Sequence, residues 1–251
     1  MIRLLPVTAL VLALAACADK VDRGFQGWVE ADLIFVGPDE AGRVETLSVR
    51  EGDTVEKDAP LFSVDSELQR DNVAMAEAAL TNARQAFERA QTLVKTAAGT
   101  QKAVEDAEAN LRTAEARLAS ARTRLARRKA ASPVTGVVQQ IYFRPGEQVP
   151  AGRPVVSLLP PGNIKIRFFV PETLLQTIAL GRAVTIHCDG CKAAVPAKVT
   201  FISRTSEFTP PVIYSQDERS KLVFLIEART ETPGELRVGQ PVDVKLVEAA
   251  R

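Results

Sequence analysis

The sequence predicts an α+β protein of modular, elongated build: a β-sandwich split in two by an antiparallel α-helical coiled-coil hairpin, followed by a small β-barrel. Three observations carry this prediction. A strand-turn-strand pattern occurs twice, an alanine-rich heptad segment without proline lies between the two copies, and a run of short strands follows the second copy. The modules divide at residues 1–16 (leader), 17–37 (linker and a first barrel strand), 38–66 (sandwich half 1), 67–130 (hairpin), 131–162 (sandwich half 2) and 163–251 (barrel).

Residues 42 to 64 align with residues 136 to 158 without a gap, at a constant offset of 94. Gly42 falls on Gly136, Val44 on Val138, Leu47 on Ile141, Gly52-Asp53 on Gly146-Glu147, Val55 on Val149 and Pro60 on Pro154. Each copy alternates apolar residues along two strands and breaks at a glycine turn. The turn glycines are expected at positive φ, where a Cβ would clash. The pattern V-x-E-G-D-x-V-x-x-x-x-P-L over Val49 to Leu61 resembles the lipoyl/biotinyl domain. Carrier domains of that type modify a lysine in the tight hairpin joining the two halves. Here some 65 residues of other character separate the halves, and Lys57 lies inside the first half, so a swinging-arm carrier is not expected.

The inserted segment, Ser66 to Arg128, has one glycine and is rich in Ala, Leu, Glu, Arg and Gln, all good helix formers. Val73, Leu80, Phe87 and Val94 are spaced by seven, with Ala76, Ala83, Ala90 and Ala97 three residues after each. After Gly99 the pattern restarts with Val104, Leu111, Leu118 and Leu125, together with Ala107, Ala114 and Ala121. A seven-residue period keeps one narrow stripe facing a partner helix, and alternation with alanine lets two antiparallel helices come close. Two surface helices on a globular core would show a wider apolar face. Each arm of about 30 residues spans about 45 Å at 1.5 Å per residue.

The N-terminus points to export. Met1 to Arg3 is weakly basic, Leu4 to Ala13 is apolar but too short for a free-standing membrane span, and Leu14-Ala15-Ala16-Cys17 follows. These four residues resemble a lipobox, which implies a diacylglycerol on the Cys17 thiol and a lipid-anchored mature chain. The alternative is an ordinary leader with a chance cysteine. Ala18 precedes Asp19, so the Asp that often retains lipoproteins at the inner membrane is one place late. A net charge of +1 gives no basic face for nucleic acid, and a single histidine, His187, excludes a histidine-rich metal site. One tryptophan and two tyrosines make a base- or sugar-stacking platform a poor reading.

From Asn163 to Val247, strands are expected at Ile164 to Val170, Ala183 to Cys188, Val195 to Ser203, Lys221 to Arg229 and Val242 to Leu246, with a short helix within Pro171 to Leu180. Five strands and one helix suit a small barrel, to which Trp28 to Val36 adds an N-terminal strand. Cys188-Asp189-Gly190-Cys191 is the one redox or metal motif. Asp-Gly between strand-like segments signals a tight turn, so the reading is a structural disulfide flanking a hairpin tip. Free thiols or a weak metal site are the alternatives. A thioredoxin-type pair would need a helix N-terminus to lower a thiol pKa. Neither a nucleophile elbow nor a phosphate loop accompanies His187, so no catalytic residue, metal site or cofactor is assigned.

A sandwich split by a long helical hairpin resembles the HlyD-type membrane fusion proteins, or periplasmic adaptors, over nearly the whole mature chain. The hairpin tip sharpens the likeness: Arg89, Leu93 and Thr100 fit R-x-x-x-L-x-x-x-x-x-x-[S/T], with Thr in place of the family's usual Ser. The resemblance implies that these three residues dock on a TolC-like outer-membrane channel. It also implies an inner-membrane transporter as partner (an ABC exporter first, a resistance-nodulation-division pump second) and a ring of copies, commonly six. It further implies a short member without an added membrane-proximal domain. Capping of the second helix is the structural alternative for Thr100. Phe208-Thr209-Pro210-Pro211-Val212-Ile213-Tyr214-Ser215 resembles a segment of adaptors that accompany ABC exporters. Phe208, Pro210, Pro211 and Tyr214 are read either as a partner contact or as a barrel loop of fixed path. The rival classes are a structural, self-assembling envelope lipoprotein and, less favoured, a lipoyl- or biotinyl-type carrier.

Overall fold

The computed structural model describes residues 24–208, 222–232 and 236–247. The leader and Cys17 lie outside the described residues, as do Pro210, Pro211 and Tyr214. The chain forms two compact units, one of residues 32–163 and one made from the segments on either side of it.

In the 32–163 unit, the repeat is a pair of interlocked half-sandwiches. The first copy supplies β3 (Gly42–Leu47), β4 (Thr54–Val55) and β5 (Pro60–Val64). The second supplies β7 (Gly136–Ile141), β8 (Gln148–Val149) and β9 (Val156–Leu159). With β2 (Ile34–Val36) and β6 (Lys129–Ala131) they form two four-stranded sheets, β2-β9-β7-β4 and β6-β5-β3-β8. Each copy thus lends its short strand to the other copy's sheet, so neither half has a complete sheet alone.

The offset of the sequence repeat recurs in the hydrogen bonds. Gly52 N donates to Val138 O and Gly146 N to Val44 O, both at 2.8 Å, and the two glycines have φ of 91° and 95°. Arg50 N donates to Asp53 Oδ2 at 2.8 Å, and Arg144 N to Glu147 Oε2 at 2.9 Å. Between the sheets, Val44, Val55, Leu61, Phe62 and Val64 pack with Val138, Val149, Val155, Val156 and Leu158 in one buried core. Lys57 sits in the turn between β4 and β5, its N–H donating to Thr135 Oγ1 of the second half at 3.1 Å, and not in a hairpin that joins the two halves in sequence.

The hairpin consists of α1 (Glu67–Lys95, 29 residues) and α2 (Gln101–Ala126, 26 residues). All the heptad positions expected from the sequence within the helices are half-buried or buried, with Ala114 and Leu118 the most enclosed. Ala97 departs from the pattern: it lies past the end of α1 at φ 57° and is exposed. Beside the seam, Arg122 pairs with Glu77 across the helices at 2.8 Å.

At the base, the Arg128 side chain is only 11% exposed and donates to Glu40 O at 3.4 Å and Ala41 O at 3.0 Å. Arg128 also pairs with Glu40, Arg127 with Asp39, and the buried Gln69 amide donates to Glu40. These contacts root the hairpin in the sandwich and fix the direction in which it leaves. Among the described residues, no helix is long and apolar enough to cross a membrane.

In the other unit, β1 (Phe25–Ala31), β10 (Ile164–Pro171), β11 (Ala183–His187), β12 (Val195–Phe208), β13 (Leu222–Arg229) and β14 (Pro241–Leu246) close a barrel in the order β1-β10-β13-β12-β11-β14. One short helix, α3 (Glu172–Leu175), follows β10. Alternate residues point inward, as in β10, where Ile164, Ile166, Phe168 and Val170 are buried and the residues between them are not.

Two expectations need correction. The single strand expected at Trp28 to Val36 is two strands in different units, since β1 ends at Ala31 and closes the barrel while β2 joins β9 in the sandwich. The alternation of apolar residues continues through Asp32-Leu33 without Gly or Pro, so nothing in the pattern marks the handover. The second correction concerns Lys129 and Ala130, assigned to the hairpin, which belong to β6 and pair with β5.

Candidate docking site at the hairpin tip

The tip is closed by a Schellman-type turn. Ala97 N donates to Val94 O at 3.0 Å and Ala98 N to Leu93 O at 2.8 Å, so the last carbonyls of α1 are satisfied. The left-handed residue that this turn requires is Ala97, not glycine. Gly99 serves closeness instead, because a Cβ there would lie 3.0 Å from Leu93 Cβ and 3.1 Å from Val94 N. Thr100, extended at φ −111° and ψ 149°, then caps α2, its Oγ1 accepting from Ala103 N at 3.3 Å.

Arg89 and Leu93 are one turn apart on the same face of α1, and Gly99 holds the segment before Thr100 against Leu93. All three are exposed, with 49% of Leu93 open to solvent. Among the described residues the Arg89 side chain has no ion-pair partner. A free guanidinium fork, an exposed leucine and a threonine hydroxyl share one rigid end. The capping role uses an acceptor lone pair of Thr100 and leaves its O–H available to donate. Capping and docking are therefore compatible uses of the same hydroxyl. The tip thus offers donors and apolar area to a partner surface.

In the barrel, Cys188 and Cys191 occupy the ends of a four-residue turn with their sulfurs bonded and Cα atoms 5.4 Å apart. Cys191 N donates to Cys188 O at 3.2 Å and Gly190 has φ 88°, the geometry of a type II turn. The turn follows β11 directly, but β12 starts only at Val195, so the cysteines begin a longer connection rather than flank a two-residue hairpin. Phe208 ends β12. Sequence reasoning passed over the outer barrel wall, where Trp28 and Phe169 meet with ring centroids 5.6 Å apart. The signal available was strand alternation, which places both residues outward.

No family model matches the chain. Among curated proteins, it is 31% identical over 175 residues to a UPF0194 membrane protein of Acidithiobacillus ferridurans, covering 68% of this chain and 52% of that one. A UPF0194 membrane protein of Enterobacter sp. (strain 638) is 31% identical over 178 residues, covering 66% and 54%. The chain thus spans about half the length of these curated relatives. Among solved structures, a MacA-MexA chimeric protein containing the Pseudomonas aeruginosa MexA α-hairpin domain superposes with a TM-score of 0.75 at 20% identity, covering 90% of this chain and 81% of that one. The membrane fusion protein Spr0693 of Streptococcus pneumoniae R6 gives 0.70 at 16% identity, covering 90% and 99%. MacA of Actinobacillus actinomycetemcomitans gives 0.66 at 20%, covering 89% and 78%. Split sandwich, inserted hairpin and following barrel are thus a fold this chain shares with these solved structures.

Proposed function

We propose that the chain is a non-catalytic periplasmic adaptor that links an inner-membrane transporter to a TolC-like outer-membrane channel for efflux or secretion. The observation that carries this reading is the hairpin: a two-helix arm rooted by Arg127 and Arg128, ending in the exposed set Arg89, Leu93 and Thr100. Such a tip suits a helical partner whose carbonyls or carboxylates meet the Arg89 fork while Leu93 buries apolar area. Diacylglycerol on Cys17 anchors the mature chain, at the inner membrane in this reading, and no other cofactor is required. One hairpin cannot enclose a conduit, so the working form is a closed ring, six copies by resemblance. An ABC exporter is the favoured transporter, contacted through the segment that holds Phe208, Pro210, Pro211 and Tyr214. A resistance-nodulation-division pump is the second choice.

The test is photo-crosslinking in cells from Thr92 and Gln101, positions beside the tip set, with mass spectrometry of what is captured. Capture of an outer-membrane channel, lost in Arg89→Asp, supports the adaptor. Capture only of other copies of this chain overturns it in favour of a self-assembling envelope lipoprotein. An intact mass carrying lipoate or biotin would overturn it in favour of a carrier.

A further inference from the structure

We propose that the outer wall of the barrel, beside the bridged turn, binds a hydrophobic organic cation. A groove of about 550 Å³ opens there between β1, β10, β11 and β14. Its apolar side is the Trp28–Phe169 pair. Its polar side comes from one cross-strand row, in which Asp243 of β14 faces Gln26 of β1 on one side and His187 of β11 on the other. Asp189, held in the bridged turn, stands at the rim.

The charge arrangement selects a cation. Among the described residues, no lysine or arginine lines this groove, and neither Asp243 nor Asp189 has an ion-pair partner. Arg167 stands over the Trp28 ring with its guanidinium carbon 6.0 Å from the ring centre, and its charge is committed to Glu30 at 2.9 Å and Glu227 at 3.4 Å. Asp189 also borders an adjoining groove that Lys192 and Arg237 line, so Asp243 carries more of the recognition than Asp189 does. An aromatic wall attracts a positive charge through the ring quadrupole and accepts apolar substituents at the same time. A carboxylate beside it favours an ammonium over a neutral ring of the same size. The ligand class is therefore a small aromatic or alkyl ammonium, which needs both halves of the site.

The protein carries its own reporter, because Trp28 is the sole tryptophan of the chain. The full chain is titrated with benzyltrimethylammonium, with benzyl alcohol as the neutral comparator and phenylmethanesulfonate as the anionic one, following Trp28 emission. The cation is expected to give a saturable change with a dissociation constant at least about fivefold lower than that of benzyl alcohol. Asp243→Asn is expected to weaken the cation about fivefold and Asp189→Asn by less, while the remote Glu231→Gln has no effect. Calorimetry on Trp28→Phe, which keeps an aromatic surface, is expected to show weaker binding of the same cation. Equal affinity for benzyl alcohol and the cation, an unchanged titration in Asp243→Asn, or no saturable change at all would overturn the proposal. None of these outcomes touches the hairpin, so failure here leaves the adaptor reading standing.

Discussion

Thr100 separates the structural and the docking uses of the tip, and the size of its structural role follows from two hydrogen bonds. Its Oγ1 accepts from Ala103 N at 3.3 Å, but the same N–H also reaches Thr100 O at 3.1 Å. Losing the side-chain acceptor in Thr100→Ala therefore leaves Ala103 N with a backbone partner. The cost belongs at the low end of the N-cap range, about 0.5–1 kcal/mol. That corresponds to a two- to fivefold rise in local opening, roughly, at the first turn of α2. Hydrogen exchange of the amides of residues 101–104 measures it, with the β-core amides as internal reference. Thr100→Ser restores both the cap and the hydroxyl. Thr100→Asp, also a strong cap, restores the helix end but removes the donor and places a carboxylate beside Leu93. Exchange at α2 is thus expected to match the wild type in Thr100→Ser and Thr100→Asp. Channel capture is expected to persist in Thr100→Ser and fall in Thr100→Asp. If capture in all three variants simply follows the exchange rates, Thr100 acts by capping alone and the docking role assigned to its hydroxyl is wrong.

Other outcomes follow from the same geometry. Ala97→Gly relieves a left-handed alanine and is expected to stabilise the tip by about 1 kcal/mol, seen as slower exchange of the Ala98 amide. Gly52→Ala and Gly146→Ala meet no neighbouring atom, so only backbone strain opposes them. Each is expected to cost about 1–2 kcal/mol, and near-equality of the two losses in denaturant titrations checks the two-fold character of the sandwich. Leu118→Ala removes a buried seam residue and is expected to cost about 2–3 kcal/mol, whereas Glu77→Ala breaks a half-exposed pair and should cost under about 0.5 kcal/mol by thermal unfolding of the hairpin signal.

Much of this architecture could be read from the sequence because its two longest-range features obey simple periods. The offset of 94 that aligns Gly52 with Gly146 also aligns the hydrogen bonds each makes across to the other copy. A sequence repeat reports such exchange because both partners of every contact are repeated together. The heptads of α1 and α2 were equally legible, since a seam between two helices must return to one face every seven residues. The failures occur where a period continues past a physical boundary. Ala97 keeps the seven-residue spacing yet lies in the turn, because a Schellman closure is set by which carbonyls need donors and not by the stripe. Trp28 to Val36 keeps its strand character across the crossing from barrel to sandwich, so composition could not locate the break at Ala31.

The tip and the barrel groove differ in legibility for a related reason. Arg89, Leu93 and Thr100 lie within twelve residues of one another, so a local motif contains them all. Trp28, Phe169, His187 and Asp243 come from four strands, and only closure of the barrel brings them side by side. Nothing in their separate sequence contexts distinguishes them from ordinary outward-facing strand residues. What distinguishes them is registry: Asp243 faces both Gln26 and His187, and a one-residue slip of β14 would turn its carboxylate into the barrel core. The same inward alternation that buries Val242 and Val244 therefore fixes Asp243 on the groove side. A site of this kind is specified by the packing of the core beneath it, so core substitutions at Val242 or Val244 that loosen β14 are expected to weaken cation binding even though both side chains are buried. Val244→Ala, at a fully buried position, is the direct check: a well-folded variant with unchanged affinity would show that the groove does not depend on β14 registry.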